Sequence, residues 1–280
     1  MTDVRSPSLP GARRRAATRI RYAVWGLAAV MTTASCTGAP VHSPGAGAPA
    51  GPPVASSTTP PKEYPWHTNI VATTFWVGEI FDPNAEDGSQ VESAYDDRWL
   101  DHYGGCDGVV TAANCETEPR TAANGFFPTR MTPQENPFYL DLPFDDVGDE
   151  VANRQRASVV PWAGEEPYSS KVSDRGFSFL KNRWVRIRHA RKTCYGQIQD
   201  AGPGRYDDAK YVFGADDARP ANDRFNGAGM DVSPALNGCL GFTELDGEDD
   251  RVDWQFIDGS AVPPGPWKIM VTTSGVTHES

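Results

Sequence analysis

Two aspartates lie where the sequence predicts that a strand ends, and their carboxyl groups are the first candidates for chemistry. Asp200 follows Gln-Ile-Gln, which suits a half-buried strand, and precedes Ala-Gly-Pro, which ends one. Asp231 comes shortly before Ser233, a favourable helix N-cap that proline follows. Side chains at such ends are held by rigid elements and stay reachable, so the two carboxyl groups can share one cleft for acid–base chemistry. The alternative is that each carboxylate only binds backbone N–H groups at its cap or turn.

The elements that must position these residues are short strands separated by turn signals. Alternating, β-branched and aromatic residues predict strands over residues 69–80, 137–143, 183–189, 195–199, 252–257 and 267–272. Residues 190–193 predict the turn of a hairpin, residues 145–157 predict a helix, and residues 96–115 predict a loop with one helical turn. Many short strands and few helices favour a mainly β domain, closed as a small barrel, over a parallel sheet.

Cysteine usage bears on the compartment. Apart from Cys36 the chain has four cysteines, namely Cys106, Cys115, Cys194 and Cys239. An even number in an exported domain predicts two disulfides, and of the three possible pairings we expect Cys106–Cys115 and Cys194–Cys239. The second bridge would bracket the stretch that contains both aspartates. Because the cysteine spacings do not fit a zinc site, we expect no metal ion, and we expect no cofactor.

The first 64 residues predict an export signal and a tether. Residues 1–35 combine several arginines, a short apolar run and small residues, which is typical of a secretory signal peptide. Thr33-Ala34-Ser35-Cys36 resembles a bacterial lipobox, so Cys36 is predicted to carry a lipid that anchors the protein to a membrane; the alternative is ordinary cleavage near Ala34. Residues 36–64 are rich in Pro, Gly, Ala and Ser and predict an extended tether. Residues 65–280 then form one globular domain of an exported, cell-surface protein.

Net charge narrows the class of partner. The chain has 26 Lys and Arg against 37 Asp and Glu, a formal net charge of −11. Such an acidic chain repels phosphate backbones, so we expect no nucleic acid partner and no strong electrostatic grip on anionic envelope polymers. The basic residues of the predicted hairpin form a solvated face or, alternatively, contact an anionic glycan; they are Arg186, Arg188, Arg191 and Lys192.

Three motifs in chain order carry a resemblance to a known family. Asp200-Ala-Gly-Pro203 is similar to the Asp-Arg-Gly-Pro of the rare lipoprotein A domain, and Gly229-Met-Asp231-Val-Ser-Pro-Ala235 is similar to its Ile-Asp-Leu-Ser-x-Ala-Ala. Ala72-Thr-Thr-Phe-Trp-Val-Gly78-Glu79 resembles its first strand. This domain shares the double-psi β-barrel with expansins, barwin-like proteins, one class of endoglucanases and membrane-bound lytic transglycosylases. The resemblance, best over residues 178–241, implies a mainly β, six-stranded double-psi β-barrel with loop and short-helix insertions.

The resemblance also implies roles for particular residues. Asp231 matches the general acid of the endoglucanases and transglycosylases, and Asp200 matches an aspartate proposed as catalytic in rare lipoprotein A. Glu79 falls near the base of the hydrolytic endoglucanases. The chain departs from the family pattern at Ala201, where rare lipoprotein A has arginine. Candidate sugar contacts, each of them alternatively a core or structural residue, are Trp76, Tyr139, Asp141, Trp162 and Tyr195.

These features together predict a protein that acts on cell-wall polysaccharide, either peptidoglycan or a β-glucan. Cleavage of a glycosidic bond needs a proton on the leaving oxygen, which Asp231 would deliver in a lytic transglycosylase or a glycoside hydrolase. One alternative is a non-catalytic, expansin-like module that binds glycan. Another is a structural envelope lipoprotein that binds a protein partner through residues 82–135. The sequence leaves the oligomeric state open.

Overall fold

The structure is a computed structural model that describes residues 62–84, 88–112, 114–245, 247 and 249–278. Within these residues the strands are β1 His67–Thr74, β2 Val109–Val110, β3 Cys115–Glu116, β4 Tyr139–Leu142, β5 Trp184–His189, β6 Lys192–Ala201, β7 Met230–Val232 and β8 Arg251–Ile257. The α-helices are α1 Trp99–Tyr103, α2 Glu150–Val159, α3 Ala209–Phe213 and α4 Pro234–Leu240. Short 3₁₀ helices are Ala122–Asn124, Ser169–Lys171, Phe225–Gly227, Gly259–Ala261 and Pro266–Lys268. The predicted signal peptide, the lipidation site Cys36 and almost all of the predicted tether lie outside the described residues.

Six of the described strands form a closed barrel in the order β1-β7-β4-β6-β5-β8, and β1 closes it by pairing with β8. The pairs β1–β7 and β4–β6 are parallel, and the antiparallel pair β4–β7 joins them side by side. The remaining barrel pairs are antiparallel, and β5–β6 is a hairpin. The domain is therefore mainly β with a closed, mixed six-stranded barrel, as predicted. This topology is compatible with a double-psi barrel.

The predicted hairpin is confirmed, and its alternating sequence decides which side chains enter the barrel. In β5, Val185 and Ile187 have no exposed surface and lie in the core, whereas Arg186 is half-buried and Arg188 is exposed. Successive strand residues point to opposite faces, so apolar and basic residues separate cleanly. The turn is shorter than the predicted residues 190–193, because β6 already begins at Lys192.

The β7–α4 junction has the local structure that the sequence predicted. The Oγ of Ser233 accepts a hydrogen bond from the backbone N–H of Leu236, and proline occupies the first helical position. Helix α4 packs on β6 at Gly196, where an added Cβ would lie 2.8 Å from side-chain atoms of Leu140 and Leu236. Glycine at this position lets the helix lie against the barrel. The junction thereby fixes Asp231 two residues before the helix cap.

One predicted strand, residues 267–272, does not form. Pro266–Lys268 is a 3₁₀ helix, and Ile269 beyond it is 72% exposed. Because β1 and β8 close the barrel, this segment has no free sheet edge to join. It binds β6 through a side chain instead, since Gln197 accepts from the N–H of Thr272 at 3.0 Å and donates to its carbonyl at 3.1 Å.

Two further boundaries differ from the predictions. Strand β1 ends at Thr74 rather than at residue 80, because the chain turns at Val77 and Gly78, where Gly78 has a left-handed φ of 88°. The helix predicted over residues 145–157 begins only at Glu150. Asp149 is its cap, with a carboxylate that accepts hydrogen bonds from the first free N–H groups of the helix.

Both predicted disulfides are confirmed. Cys106–Cys115 closes a short loop that contains β2, and Cys194–Cys239 joins β6 to α4. Disulfides form and persist in oxidising compartments, so the structure indicates such an environment for this protein. In the part of the chain that the structure describes, no helix is both long and apolar enough to cross a membrane.

The core continues from the barrel into the segment between β4 and β5 through Trp162. This side chain has no exposed surface, and its ring lies 4.8 Å from that of Phe256 and 5.8 Å from that of Tyr64. Trp162, predicted as a sugar contact, is thus packed in the core of this structure. Tyr64, predicted as the last residue of the tether, is 3% exposed and belongs to the packed chain.

The same segment is held by a buried arginine of α2. Arg156 is 1% exposed and donates hydrogen bonds to the backbone carbonyls of Asp146, Val172, Asp174 and Phe177. Its guanidinium also lies 3.6 Å from the Asp146 carboxylate. One side chain thereby ties the loop after α2 to the start of the segment.

Candidate active site

Four polar side chains form a row across four adjacent strands of the barrel. Thr73 on β1 is the register partner of Asp231 on β7. Asp231 is also paired with Asp141 on β4, and Asp141 is paired in turn with Asp200 on β6. Paired residues on neighbouring strands share one face of a sheet, and the strands lie about 4.8 Å apart. Both neighbours of Asp231 in β7 are fully buried in the core, so the row lies on the outer face of the barrel wall.

A β-bulge brings Asp200 into this row. In the β4–β6 pair, Leu140 is opposite Ile198 but the next residue of β4, Asp141, is opposite Asp200. The extra residue of β6 is Gln199. In an unbroken register Gln199 would face Asp141, and Asp200 would share the inner face with Ile198. The bulge is therefore the feature that places the third carboxyl group beside the other two.

Hydrogen bonds orient the carboxyl groups of Asp231 and Asp141. The Thr73 hydroxyl donates to Oδ1 of Asp231, and the backbone N–H of Asp231 donates to Oδ1 of Asp141 at 2.8 Å. The other oxygen of Asp141 lies over Gly202, where an added Cβ would be 2.7 Å away. The glycine of the Asp200-Ala-Gly-Pro motif thus allows the turn to approach the site closely.

Asp200 is fixed from the loop that precedes α1. Its Oδ1 accepts hydrogen bonds from the backbone N–H groups of Ala94, at 2.7 Å, and Ala201, at 2.8 Å. Lys181 is also close enough to lower the pKa of Asp200 through its positive charge. The Lys181 side chain is 7% exposed, and its amine has no hydrogen-bond partner among the described residues.

The pKa values of all three carboxyl groups are raised, because the groups are buried close to one another. Burial, followed by the charge of Asp200, raises the pKa of Asp231 to about 7. Burial also raises the pKa of Asp200 to about 7. For Asp141, burial and the charges of both neighbours raise the pKa well above its ordinary value. Asp231 and Asp200 therefore titrate near neutral pH.

Asp231 is the least buried of the three aspartates in the row. It is half-buried, whereas Asp141 and Asp200 are 3% and 5% exposed. Because Thr73 donates to Oδ1, the proton belongs on Oδ2. A carboxyl group with a pKa near 7 holds a proton to donate at neutral pH and is basic enough to take one back. The row can therefore act as one general acid–base supported by two covered carboxyl groups.

Glu79, the predicted base, is not a member of the row. It lies five residues beyond the end of β1 in a turn, where its backbone N–H donates to the Trp76 carbonyl at 2.9 Å. Its carboxylate accepts from the Trp76 N–H at 3.4 Å. The carboxyl groups that strand register places beside Asp231 are those of Asp141 and Asp200 instead. A catalytic role for Glu79 stays a prediction.

The aromatic candidates offer little surface to a sugar. Tyr139, predicted as a sugar contact, has no exposed surface, and its hydroxyl donates to Asp107 at 2.8 Å. Trp76 and Tyr195 are each 9% exposed. The indole N–H of Trp76 donates to the Cys115 carbonyl at 2.9 Å, which holds the ring against the disulfide loop.

Sequence reasoning missed two residues of the site and undervalued a third. Thr73 lies inside the first motif of the family resemblance, but only the β1–β7 register shows that it binds Asp231. Asp141 was predicted as a sugar contact, whereas it lies at the centre of the row. For Lys181, no local signal distinguishes a buried amine from a solvated one.

No family model, no curated protein and no solved structure matched the chain when each was compared with it. Among the described residues, no group of three or more His, Cys, Asp or Glu side chains is arranged to hold a metal ion. Function is therefore inferred from the geometry and the protonation of the row.

Proposed function

We propose that the protein cleaves glycosidic bonds in cell-wall or related polysaccharide, with Asp231 as the general acid. The observation that supports this most is the row of Thr73, Asp231, Asp141 and Asp200, which leaves one half-buried carboxyl group with a pKa of about 7. The closed mixed barrel and the motif resemblance support a further part of the proposal: the domain is a double-psi β-barrel that resembles rare lipoprotein A.

One reachable carboxyl group suffices for the reaction of a lytic transglycosylase. Asp231 donates its proton to the glycosidic oxygen as the bond from that oxygen to C1 breaks, and the 6-hydroxyl of the same sugar attacks C1. The ionised Asp231 takes the hydroxyl proton, so the carboxyl group is regenerated and the product has a 1,6-anhydro end. A hydrolase needs a second reachable carboxylate to activate water, and both neighbours of Asp231 are covered. We therefore favour peptidoglycan as the substrate over a β-glucan.

Location is the second part of the proposal. The two disulfides support a location in an oxidising compartment outside the cytoplasm. The predicted signal peptide and a lipid at Cys36 would hold the barrel at the cell surface, next to the proposed substrate. The part of the predicted tether that precedes the described residues would allow the barrel to reach its substrate.

A digest of purified peptidoglycan, and separately of β-glucan, tests the proposal. We expect mass spectrometry to show anhydro-sugar ends with the unaltered protein and none with Asp231→Asn. The exposed Asp223→Asn variant is a matched control, because it makes the same chemical change away from the row. Full activity of Asp231→Asn would contradict the proposal, and hydrated reducing ends would replace transglycosylation by hydrolysis.

The second candidate function is a non-catalytic glycan-binding module of the expansin kind. The hydrogen bond from Thr73 favours this function, since it also gives Asp231 a structural role between β1 and β7. Retention of the protein on one of the glycans without new ends would support this function. If the protein neither cleaves nor is retained on either glycan, a protein partner bound through residues 82–135 becomes the better explanation.

A further inference from the structure

A cluster of basic residues lies in and just before the β5–β6 hairpin of this acidic chain. From residue 181 to residue 199 the chain has no Asp or Glu, and its cations are Lys181, Arg183, Arg186, Arg188, Arg191 and Lys192. Lys181 is buried, and Arg183 forms an ion pair with Asp258 at 3.3 Å. For the other four cations, no carboxylate oxygen of the described residues lies within 4.0 Å. The hairpin is therefore a local positive face on a protein with a net charge of −11.

Two arginines of this face are held against aromatic rings. The guanidinium of Arg188 lies 4.1 Å from the ring centroid of Trp66, and that of Arg186 lies 5.9 Å from the same centroid and 6.0 Å from that of Tyr195. Stacking of this kind orients the guanidinium plane and leaves its N–H edges free for a planar anion. The Nε of Arg186 is buried and has no hydrogen-bond partner among the described residues.

The acidic residue that strand register places opposite Arg188 already accepts a hydrogen bond from another group. Asp253 on β8 is the partner of Arg188, but its carboxylate accepts a hydrogen bond from the backbone N–H of Asn69 at 2.9 Å. The arginines are thus oriented by rings and not neutralised by an ion pair. This arrangement suits a ligand that brings its own carboxylate groups.

A cavity of about 560 Å³ continues the arginine face. Thr193 and Trp267 line it, and both adjoin the arginines: Thr193 is the register partner of Arg188, and the Trp267 ring lies 4.9 Å from that of Tyr195. Lys192 also lines the cavity and adds a positive charge. The volume lies within the roughly 300–1,000 Å³ of small-ligand pockets. Its largely apolar lining suits the C–H face of a sugar ring.

We propose that this hairpin face, made of Trp66, Arg186, Arg188, Lys192 and the adjoining cavity, binds an acidic polysaccharide whose sugars carry carboxylate groups. A sugar ring in the cavity would lie against Lys192 and Thr193, and Thr193 is the register partner of Arg188. Thr193 and Asp200 lie near opposite ends of β6, seven residues or roughly 23 Å apart along the strand. The face is therefore separate from the aspartate row and does not require activity at Asp231.

Affinity electrophoresis of the protein in gels that contain polygalacturonate tests this proposal. We expect Arg186→Gln combined with Arg188→Gln to weaken binding by about tenfold or more, because two oriented charge-assisted contacts are lost. The matched control is Arg154→Gln combined with Arg175→Gln, which removes two exposed arginines elsewhere and should leave binding within about twofold. Salt should weaken binding of the unaltered protein, because exposed charges are screened.

Three further comparisons make the result decisive. Trp66→Ala keeps every charge but removes the ring under Arg188, so an intermediate loss is expected. Asp231→Asn should bind polygalacturonate as the unaltered protein does, whatever happens to cleavage. Unchanged binding by the double arginine variant would overturn the proposal. Binding of polyglutamate as tight as that of polygalacturonate would also overturn it, in favour of an acidic peptide.

Discussion

At the scale of single residues, Asp141 and Asp200 act differently on Asp231. Burial and the charges of its neighbours raise the pKa of Asp141 well above its ordinary value, but Asp141 is not among the causes of the raised pKa of Asp231. Asp200 ionises in the same range as Asp231, and its charge is the second cause, after burial, of the raised pKa of Asp231. Two isosteric substitutions can therefore separate the effects of charge from those of hydrogen bonding.

Asp200→Asn is expected to lower the pKa of Asp231 and to move the alkaline limb of the activity profile to lower pH. A general acid works only while protonated, so activity falls as pH rises through its pKa. Because burial remains the larger cause, the shift should be partial. Profiles of glycan cleavage between about pH 5 and pH 9 give the limb, and carboxyl titration by NMR gives the same pKa without turnover.

Asp141→Asn is the control for that experiment. An asparagine keeps an Oδ1 acceptor for the Asp231 N–H, and the raised pKa of Asp231 is caused by burial and by Asp200, so the limb should not move. Equal shifts in both variants would contradict the assignment of the charge effect to Asp200.

The sequence was sufficient to select Asp200 and Asp231 as candidates, because strand-ending turns and helix caps are local signals. It was not sufficient to predict the arrangement of the four residues of the row. The pairing of Asp141 with Asp231 requires β4 to lie between β7 and β6, which is a long-range property of the barrel. The pairing with Asp200 also requires the bulge at Gln199, and nothing in the alternation of β6 predicts it.

At the scale of elements, the two disulfides are expected to contribute unequally to stability. Cys194–Cys239 spans 45 residues and Cys106–Cys115 spans nine. Loop-closure entropy assigns about 4 kcal/mol to the longer loop and about 3 kcal/mol to the shorter one. Replacing both cysteines of the longer loop by alanine should therefore lower the free energy of unfolding more, as measured in denaturant. The opposite order would show that native contacts, and not loop closure, dominate.

The buried arginine of α2 gives a second prediction about an element. Arg156→Met should lower the free energy of unfolding by about 3–5 kcal/mol, because it leaves a buried carboxylate and several carbonyl groups without their partner. Arg154→Met, on the same helix, loses only an exposed ion pair with Glu150 and should stay within about 1 kcal/mol. Denaturant unfolding compares them, and similar losses would refute the role given to Arg156.

Element prediction succeeded where the pattern and the topology agree. The segments at residues 183–189 and 252–257 alternate, and both became barrel strands. The segment at residues 267–272 has a similar composition, yet Ile269 and Val271 are 72% and 40% exposed. Strand propensity describes a residue's fit to a pleated surface, and it cannot show that a closed barrel has no edge left.

At the scale of the whole molecule, charge is unevenly distributed. The net charge of −11 predicts weak attraction for anionic polymers, but four cations lie on one hairpin, namely Arg186, Arg188, Arg191 and Lys192. Net charge describes the average field, whereas binding depends on local charge. The basic run is visible in the sequence. The stacking of Arg186 and Arg188 on Trp66, and the lack of an ion pair at the four hairpin cations, depend on the packing of the barrel.

The protonation of the aspartate row also bears on the stability of the whole protein. Asp231 and Asp200 have pKa values of about 7 when folded and about 4 when unfolded, so the folded state holds extra protons between these values. This stabilisation is complete at low pH and is lost as pH rises towards 7. His67 acts in the opposite sense, because burial against Trp254 lowers its pKa to about 4, and its contribution is lost as pH falls below about 6.5.

Thermal unfolding between about pH 5 and pH 8 tests this balance. Two carboxyl groups of the row oppose one histidine, so we expect the Tm of the unaltered protein to fall as pH rises over this range. Asp200→Asn removes one of the two carboxyl groups and should make the fall shallower. His67→Phe keeps the stacking on Trp254 and removes the opposing group, so it should raise the Tm near pH 5 relative to pH 8 and make the fall steeper. A Tm that rises with pH, or an unchanged slope in Asp200→Asn, would mean that the row is not protonated in the folded protein, and Asp231 would then have no proton to donate near neutral pH.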